Sequence, residues 1–184
     1  MRRGIVLLAL LVAACSNPVV DEKVAALGPE TPGVAPSEWH RPGQPCLLCH
    51  GPYGGAHPEM SVAGTVFANP EKKGEAPAGV EKVVVTVTDS FGDVVEKKTN
   101  CIGNFFITTE EWQPGFPLAA KIEYPSLTGD GTTPAYMATR IGRDGSCAGC
   151  HEGPRSPSTP GSIYCVDQAE NPFPEPAKDC PGVP

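Results

Sequence analysis

Basic charge is scarce in this chain of 184 residues, where 14 Lys and Arg face 21 Asp and Glu for a net charge of −7. No basic stripe is available to neutralise phosphates, so no nucleic-acid partner is expected. Beyond the first residues, no apolar run approaches the ~20 residues that a bilayer-spanning helix needs. A convincing apolar stripe at helical spacing is also missing there. With 21 Gly and 22 Pro, the chain favours short strands, turns and loops over a bundle of long helices. Little helix is therefore expected outside the leader.

The leader itself is short. Residues 1–15 read MRRGIVLLALLVAAC: two arginines, a brief apolar run, small residues and a cysteine. The run is about half the length of a membrane span, so residues 1–14 read as a signal peptide. Its end resembles a bacterial lipobox, which implies a diacylglyceryl group on Cys15 as the only membrane-binding element. Removing Arg2 and Arg3 with the leader takes the net charge from −7 to −9. Ser16 resembles the sorting signal for the outer membrane, with the protein on its periplasmic or cell-surface face. Residues 15–38, rich in proline and poor in apolar pairs, read as a flexible tether, with order beginning near Trp39.

Eight cysteines are present, and four of them fall into a repeated pattern. Cys46-Leu47-Leu48-Cys49-His50 and Cys147-Ala148-Gly149-Cys150-His151 are both CxxCH. Two thiols at this spacing can add to the two vinyl groups on one haem edge, and the next histidine then binds the iron from below. This is the c-type haem attachment signature. The cofactor expected is therefore two covalently bound haem c, with His50 and His151 as proximal ligands. A four-thiolate zinc site would leave both histidines unexplained. A thioredoxin-type CxxC needs a βαβ setting, whereas these flanks are Pro/Gly loops. A disulfide within either motif would close a ring too tight to serve as a staple. Residues 39–60 and 141–155 thus read as first and second haem-binding segments.

The distal faces are less determined. Only four histidines exist, so His40 and His57 remain as candidate distal ligands, one for each iron. Met137 is the alternative, and Met60 is a further thioether. Either spare histidine is near enough in sequence to wrap around a haem edge or to reach a neighbouring haem.

Between the motifs, residues 61–140 change character. Val83, Val85 and Val87 alternate with Lys82, Thr86 and Thr88, the period-2 signature of a strand. Ser90-Phe91-Gly92-Asp93 supplies a turn, and 94–99 returns with Lys97 and Lys98 outward. That alternating strand spans 80–89, and further strands are expected over 61–68, 103–109, 117–124 and 135–140. The class expected is mainly β: a small antiparallel β-sandwich flanked by loop-rich haem-binding segments.

The run GTVF…GVEKVVVTVTDSFGD…TNCIGNFFI resembles the carboxypeptidase-regulatory or transthyretin-type β-sandwich over about 60 residues. The chain as a whole resembles exported dihaem c-type cytochrome lipoproteins that carry a small β-domain between the haem motifs. The resemblance implies attachment at Cys46, Cys49, Cys147 and Cys150 and proximal ligation by His50 and His151. One departure is the lack of a helical cytochrome c core, so the usual helix-packed pocket for a Met-ligated haem is not expected.

Cys101, Cys165 and Cys180 remain, an odd number in an oxidising compartment. A Cys165 to Cys180 bridge would close a short loop in the Pro-rich C-terminal tail, residues 156–184, worth about 3 kcal/mol in the chain-entropy model. A Cys101 to Cys165 bridge would instead pin that tail to the sandwich. The function these features point to is electron transfer, not an enzyme: a membrane-anchored carrier passing electrons to redox partner proteins or an extracellular acceptor. The competing classes are an open haem reactive towards ligands or peroxide, and a sandwich that serves as a partner-binding module. For the anchor, Cys15→Ser should move the protein out of the membrane fraction or stall its processing. Fractionation and the mass of the mature N-terminus check this, and unchanged partition would remove the lipobox reading.

Overall fold

The computed structural model describes residues 17–30, 36–68, 78–125, 132–165 and 180. The signal peptide expected over 1–14 and the lipidation expected at Cys15 fall outside the described residues. Among the described residues, no helix is long and apolar enough to cross a membrane. The chain is mainly β, with two antiparallel sheets closing on one apolar core as a small sandwich.

In chain order the elements are α1 (Pro18–Ala26), α2 (Leu47–His50), β1 (Met60–Thr65), β2 (Val84–Thr88), β3 (Val94–Lys98), β4 (Asn104–Thr108), β5 (Ala119–Pro125) and β6 (Thr132–Tyr136). A 3-10 turn, Cys147–Gly149, follows them. One sheet pairs β1 with β4; the other runs β3-β2-β5-β6. Of the expected strands, the last is displaced: pairing begins at Thr132 and then continues loosely, with Met137 N donating to Ala120 O at 3.0 Å and Leu118 bridging Ile141.

The valine alternation builds the core as read. Val83, Val85 and Val87 are buried, packed with Val62, Phe105, Ile107, Leu118 and Ile122. Each fully buried aliphatic side chain contributes roughly 1.5–3 kcal/mol. Thr86 points to the other face yet is also buried, because β2 is flanked by β3 and β5. Its hydroxyl donates to Glu96 Oε1 at 3.1 Å. The edge strand β3 carries Glu96, Lys97 and Lys98, charges that discourage pairing with another chain.

Two expectations need correction. The tether expected over 15–38 contains α1, whose Asn17 side chain caps Val20 N and whose Pro18 suits a first helical position. It buries no residue, which is why no apolar stripe betrayed it. Arg41 then ties the following segment down, donating to Glu30 Oε1 at 2.7 Å and to Gly28 O at 2.8 Å. The disulfide is Cys101 to Cys180, neither of the pairings weighed from sequence. Cys165 has no route to either partner because it is wholly buried in the core as a free thiol, pushed up to about 12 by that burial. The described part of the C-terminal tail lies against the sandwich. Phe67 N donates to Ile163 O at 2.8 Å and Cys165 N to Phe67 O at 3.0 Å, so this stretch lies alongside the extension of β1.

The β2 to β3 turn is organised by Asp89. Its carboxylate accepts from Phe91 N at 2.8 Å, Asp93 N at 3.0 Å and Gly115 N at 3.0 Å. Gly92 supplies the left-handed residue the turn requires, at φ 92°. Burial alone would raise the Asp89 carboxyl, but the N–H groups of Gly115, Phe91, Asp93 and Gly92 outweigh it and hold it below its ordinary value of 3.8. A depressed carboxyl stabilises the fold above its unfolded pKa, and that contribution is lost as pH falls through the folded value. Denaturant midpoints measured from about pH 6 to about pH 2 should therefore fall more for the native chain than for Asp89→Asn. Parallel curves would show that the charge of Asp89 contributes nothing.

Candidate functional site

Both CxxCH motifs fold as a single tight turn, and the two turns share one hydrogen-bond pattern. His50 N donates to Cys46 O at 2.9 Å and Cys49 N to the same oxygen at 3.2 Å. His151 N donates to Cys147 O at 2.9 Å and Cys150 N to it at 3.2 Å. Residues three and four apart on such a turn share a face. The pair of thiols and the imidazole after them are thereby brought to one side of each turn.

The imidazoles are oriented alike as well. His50 Nδ1 meets Pro58 O at 2.9 Å, and His151 Nδ1 meets Gly161 O at 2.9 Å. A carbonyl can only accept, so Nδ1 carries the proton in each ring and Nε2 keeps its lone pair. That is the arrangement a metal-ligating histidine needs: one nitrogen held by the backbone, the other basic and aimed away.

The motifs are far apart in sequence but adjacent in space, because both pack on β1. Ala63 N donates to Gly145 O at 3.0 Å, and Ala63 bridges Ser146 in parallel, so the approach to the second motif runs beside β1. Gly64 permits the contact: a Cβ there would lie 2.8 Å from Cys147 Cβ and 2.9 Å from its sulfur. Burial pushes the Cys46 thiol up to about 11, its backbone opposing and Cys49 adding. Burial pushes Cys147 up to about 12, and Cys46 is the next contributor, so the first sulfurs of the two motifs are within electrostatic reach. A redox CxxC nucleophile requires the opposite shift, to a pKa of roughly 3.5–7.5.

A cavity of about 470 Å³ opens beside the first motif, within the range of roughly 300–1,000 Å³ usual for small-molecule sites. Cys46, Cys49 and His50 line it together with His40, His57 and Met60, and Phe105 and Phe106 add apolar wall. The His40 ring centre is 5.8 Å from that of His50, with planes tilted by 42°. Two imidazoles binding one metal from opposite faces at about 2.0 Å each have centres about 6 Å apart. His40 Nδ1 lies against the Ser37 backbone, close to its carbonyl and accepting from its N–H at 3.3 Å. His57 is exposed on the loop before β1 but lines this same cavity. Met137 follows β6 on the other sheet and is absent from the lining of this cavity, whereas Met60 is buried in its wall.

The loop that carries His40 is strapped to the sandwich by residues the sequence did not single out. Asn104 is buried; its amide donates to His40 O at 3.1 Å and Glu38 O at 3.2 Å. Its oxygen accepts from Thr65 at 2.7 Å, and Thr65 accepts from Gly43 N at 2.8 Å. Asn100 adds a bond to Glu38 O at 2.7 Å. The available signal was an amide opening an otherwise apolar strand in Asn104-Phe105-Phe106-Ile107, which reads equally well as turn chemistry.

Among the described residues, no group of three or more His, Cys, Asp or Glu is gathered to hold a bare metal ion. A haem iron takes its equatorial ligands from the macrocycle and asks the protein only for axial ones. The chain matches no protein-family model, no curated protein and no solved structure.

The strap has a direct test. Asn104→Leu removes the donor to two backbone carbonyls and should cost about 2–3 kcal/mol of stability in denaturant unfolding. Hydrogen exchange should rise in the loop of Ser37 to Gly43 before it rises in β2 and β5. A uniform rise across the sandwich would show that Asn104 supports only the global fold.

Proposed function

We propose that this chain is a dihaem c-type cytochrome: a membrane-anchored carrier of single electrons, not an enzyme. The observation that carries the reading is the duplicated geometry of the two CxxCH turns, each with its imidazole proton committed to a backbone carbonyl. The same two backbone bonds and the same imidazole–carbonyl contact recur at both motifs.

The residues fit the group. Cys46 with Cys49, and Cys147 with Cys150, would each hold one haem through two thioethers, since addition of a thiol S–H across a vinyl C=C needs no oxidant or reductant. His50 and His151 supply the proximal nitrogen, with Pro58 O and Gly161 O holding each ring's proton at Nδ1. Haem iron, once bound, supplies reversible Fe(III)/Fe(II) exchange. His40 is the candidate distal ligand of the first site, and Phe105, Phe106 and Met60 keep water from it. Packing of both turns on β1 favours exchange between the two sites, since it brings their attachment edges together.

The setting is proposed on the same terms. The leader and Cys15 support an outer-membrane lipoprotein facing the periplasm or the cell exterior. The net charge of −7, or −9 without Arg2 and Arg3, favours basic docking patches on redox partner proteins and salt-sensitive association.

Haem that survives denaturing electrophoresis, with about two haems per chain by pyridine haemochrome, is the expected result. Replacing Cys46 and Cys49 together by Ser should leave about one. A purified protein with no covalent haem and stoichiometric zinc would overturn the proposal.

A further inference from the structure

The two motifs match in their turns and differ in what faces them. All four histidines of the chain lie among the described residues. With His50 and His151 in proximal positions, the other two both line the cavity of the first motif. The even partition suggested by the count, one spare histidine for each site, is therefore not the arrangement in space.

The second motif is packed on Gly64 at Cys147 and open at its other end. Cys150 is exposed and His151 half-buried, whereas His50 is only 8% exposed. Among the described residues, the loop after it bonds back on itself. Thr159 Oγ1 bonds Cys150 O at 2.8 Å and Glu152 O at 3.0 Å. Ser156 and Thr159 exchange backbone bonds, and Gly161, at φ 82°, turns the chain so that its carbonyl meets His151. Locally satisfied polar groups leave that loop no need to reach over the motif. Of the described methionines, Met60 is buried in the first cavity and Met137 bonds Ala120 on the four-stranded sheet.

We propose that the two haem sites are coordinatively unequal. His50 and His40 close the first from both faces, while the second, held by His151, takes a small neutral axial ligand from solution at its open face. Carbon monoxide for the reduced iron and imidazole for the oxidised iron are the probes. The inference rests on the haem reading above and is separable from it by experiment.

The test uses the full mature chain after haemochrome has counted its haems. Carbon monoxide titrated into the dithionite-reduced protein should saturate at about one per chain, shifting about half of the Soret absorbance. His40→Ala should raise that to about two, and imidazole added to the oxidised native chain should convert a high-spin half to low-spin. Two haems with no carbon monoxide bound would overturn the inference, because the chain then caps the second iron itself. Two bound in the unaltered chain would overturn it equally, because His40 then closes nothing; this stoichiometry decides even if His40→Ala does not fold. A haem count below two fails the haem reading instead.

Discussion

The arrangement depends on one steric contact, the seating of Cys147 on the bare backbone of Gly64. Any side chain at that position would drive into the Cys147 sulfur and the ring of Phe105. With no side chain in the way, the second motif lies against β1, and α2 with the first motif packs on the same strand. The separation of the motifs is then set by one rigid strand and not by the long chain between them.

That strand is held from three sides, and each support is of a different kind. β4 gives it a backbone ladder, the stretch around Ile163 to Cys165 extends the ladder beyond Thr65, and the valine core presses from the opposing sheet. The core is small, so the covalent tie matters. Cys101 and Cys180 are separated by 79 residues, and closing a loop of that size is worth about 4.5 kcal/mol in the chain-entropy model. Cys101 stands in the turn that leads into β4, next to Asn100 and Asn104. One short segment thus carries the disulfide, the strand start and the bonds that hold the His40 loop.

What could be read from the sequence was whatever depends on neighbours in the chain. Valine alternation around Val85 is local, and so is CxxCH, since one helical turn suffices to bring Cys46, Cys49 and His50 to one face. The strands and both motifs were legible for that reason. Helix α1 was not, because the period-3.6 test detects a buried face and this helix buries none; its Asn17-Pro18 start was the only local mark. The disulfide was not legible either. Sequence proximity favoured Cys165 for Cys180, but Cys165 belongs to the core, a fact fixed by strand pairing some hundred residues upstream on the order of the whole domain's length. Asn104 was missed because its value lies in two carbonyls of a loop that sequence cannot place beside it.

The histidines show the same divide between counting and placement. Four imidazoles and two motifs suggest symmetry, and the turns themselves obey it down to the carbonyl that orients each ring. Symmetry ends where the flanking segments begin. Before the first motif, the loop of Ser37 to Gly43 is drawn over the site because its carbonyls have partners there, the amides of Asn100 and Asn104. After the second, the loop's carbonyls and amides are satisfied within the loop, by Thr159 and Ser156. A backbone group that has found a local partner gains nothing by crossing a site, and one that has not must be brought to a partner elsewhere. Enclosure of the first motif and exposure of the second follow from that difference in hydrogen bonding, with no difference in the motifs themselves.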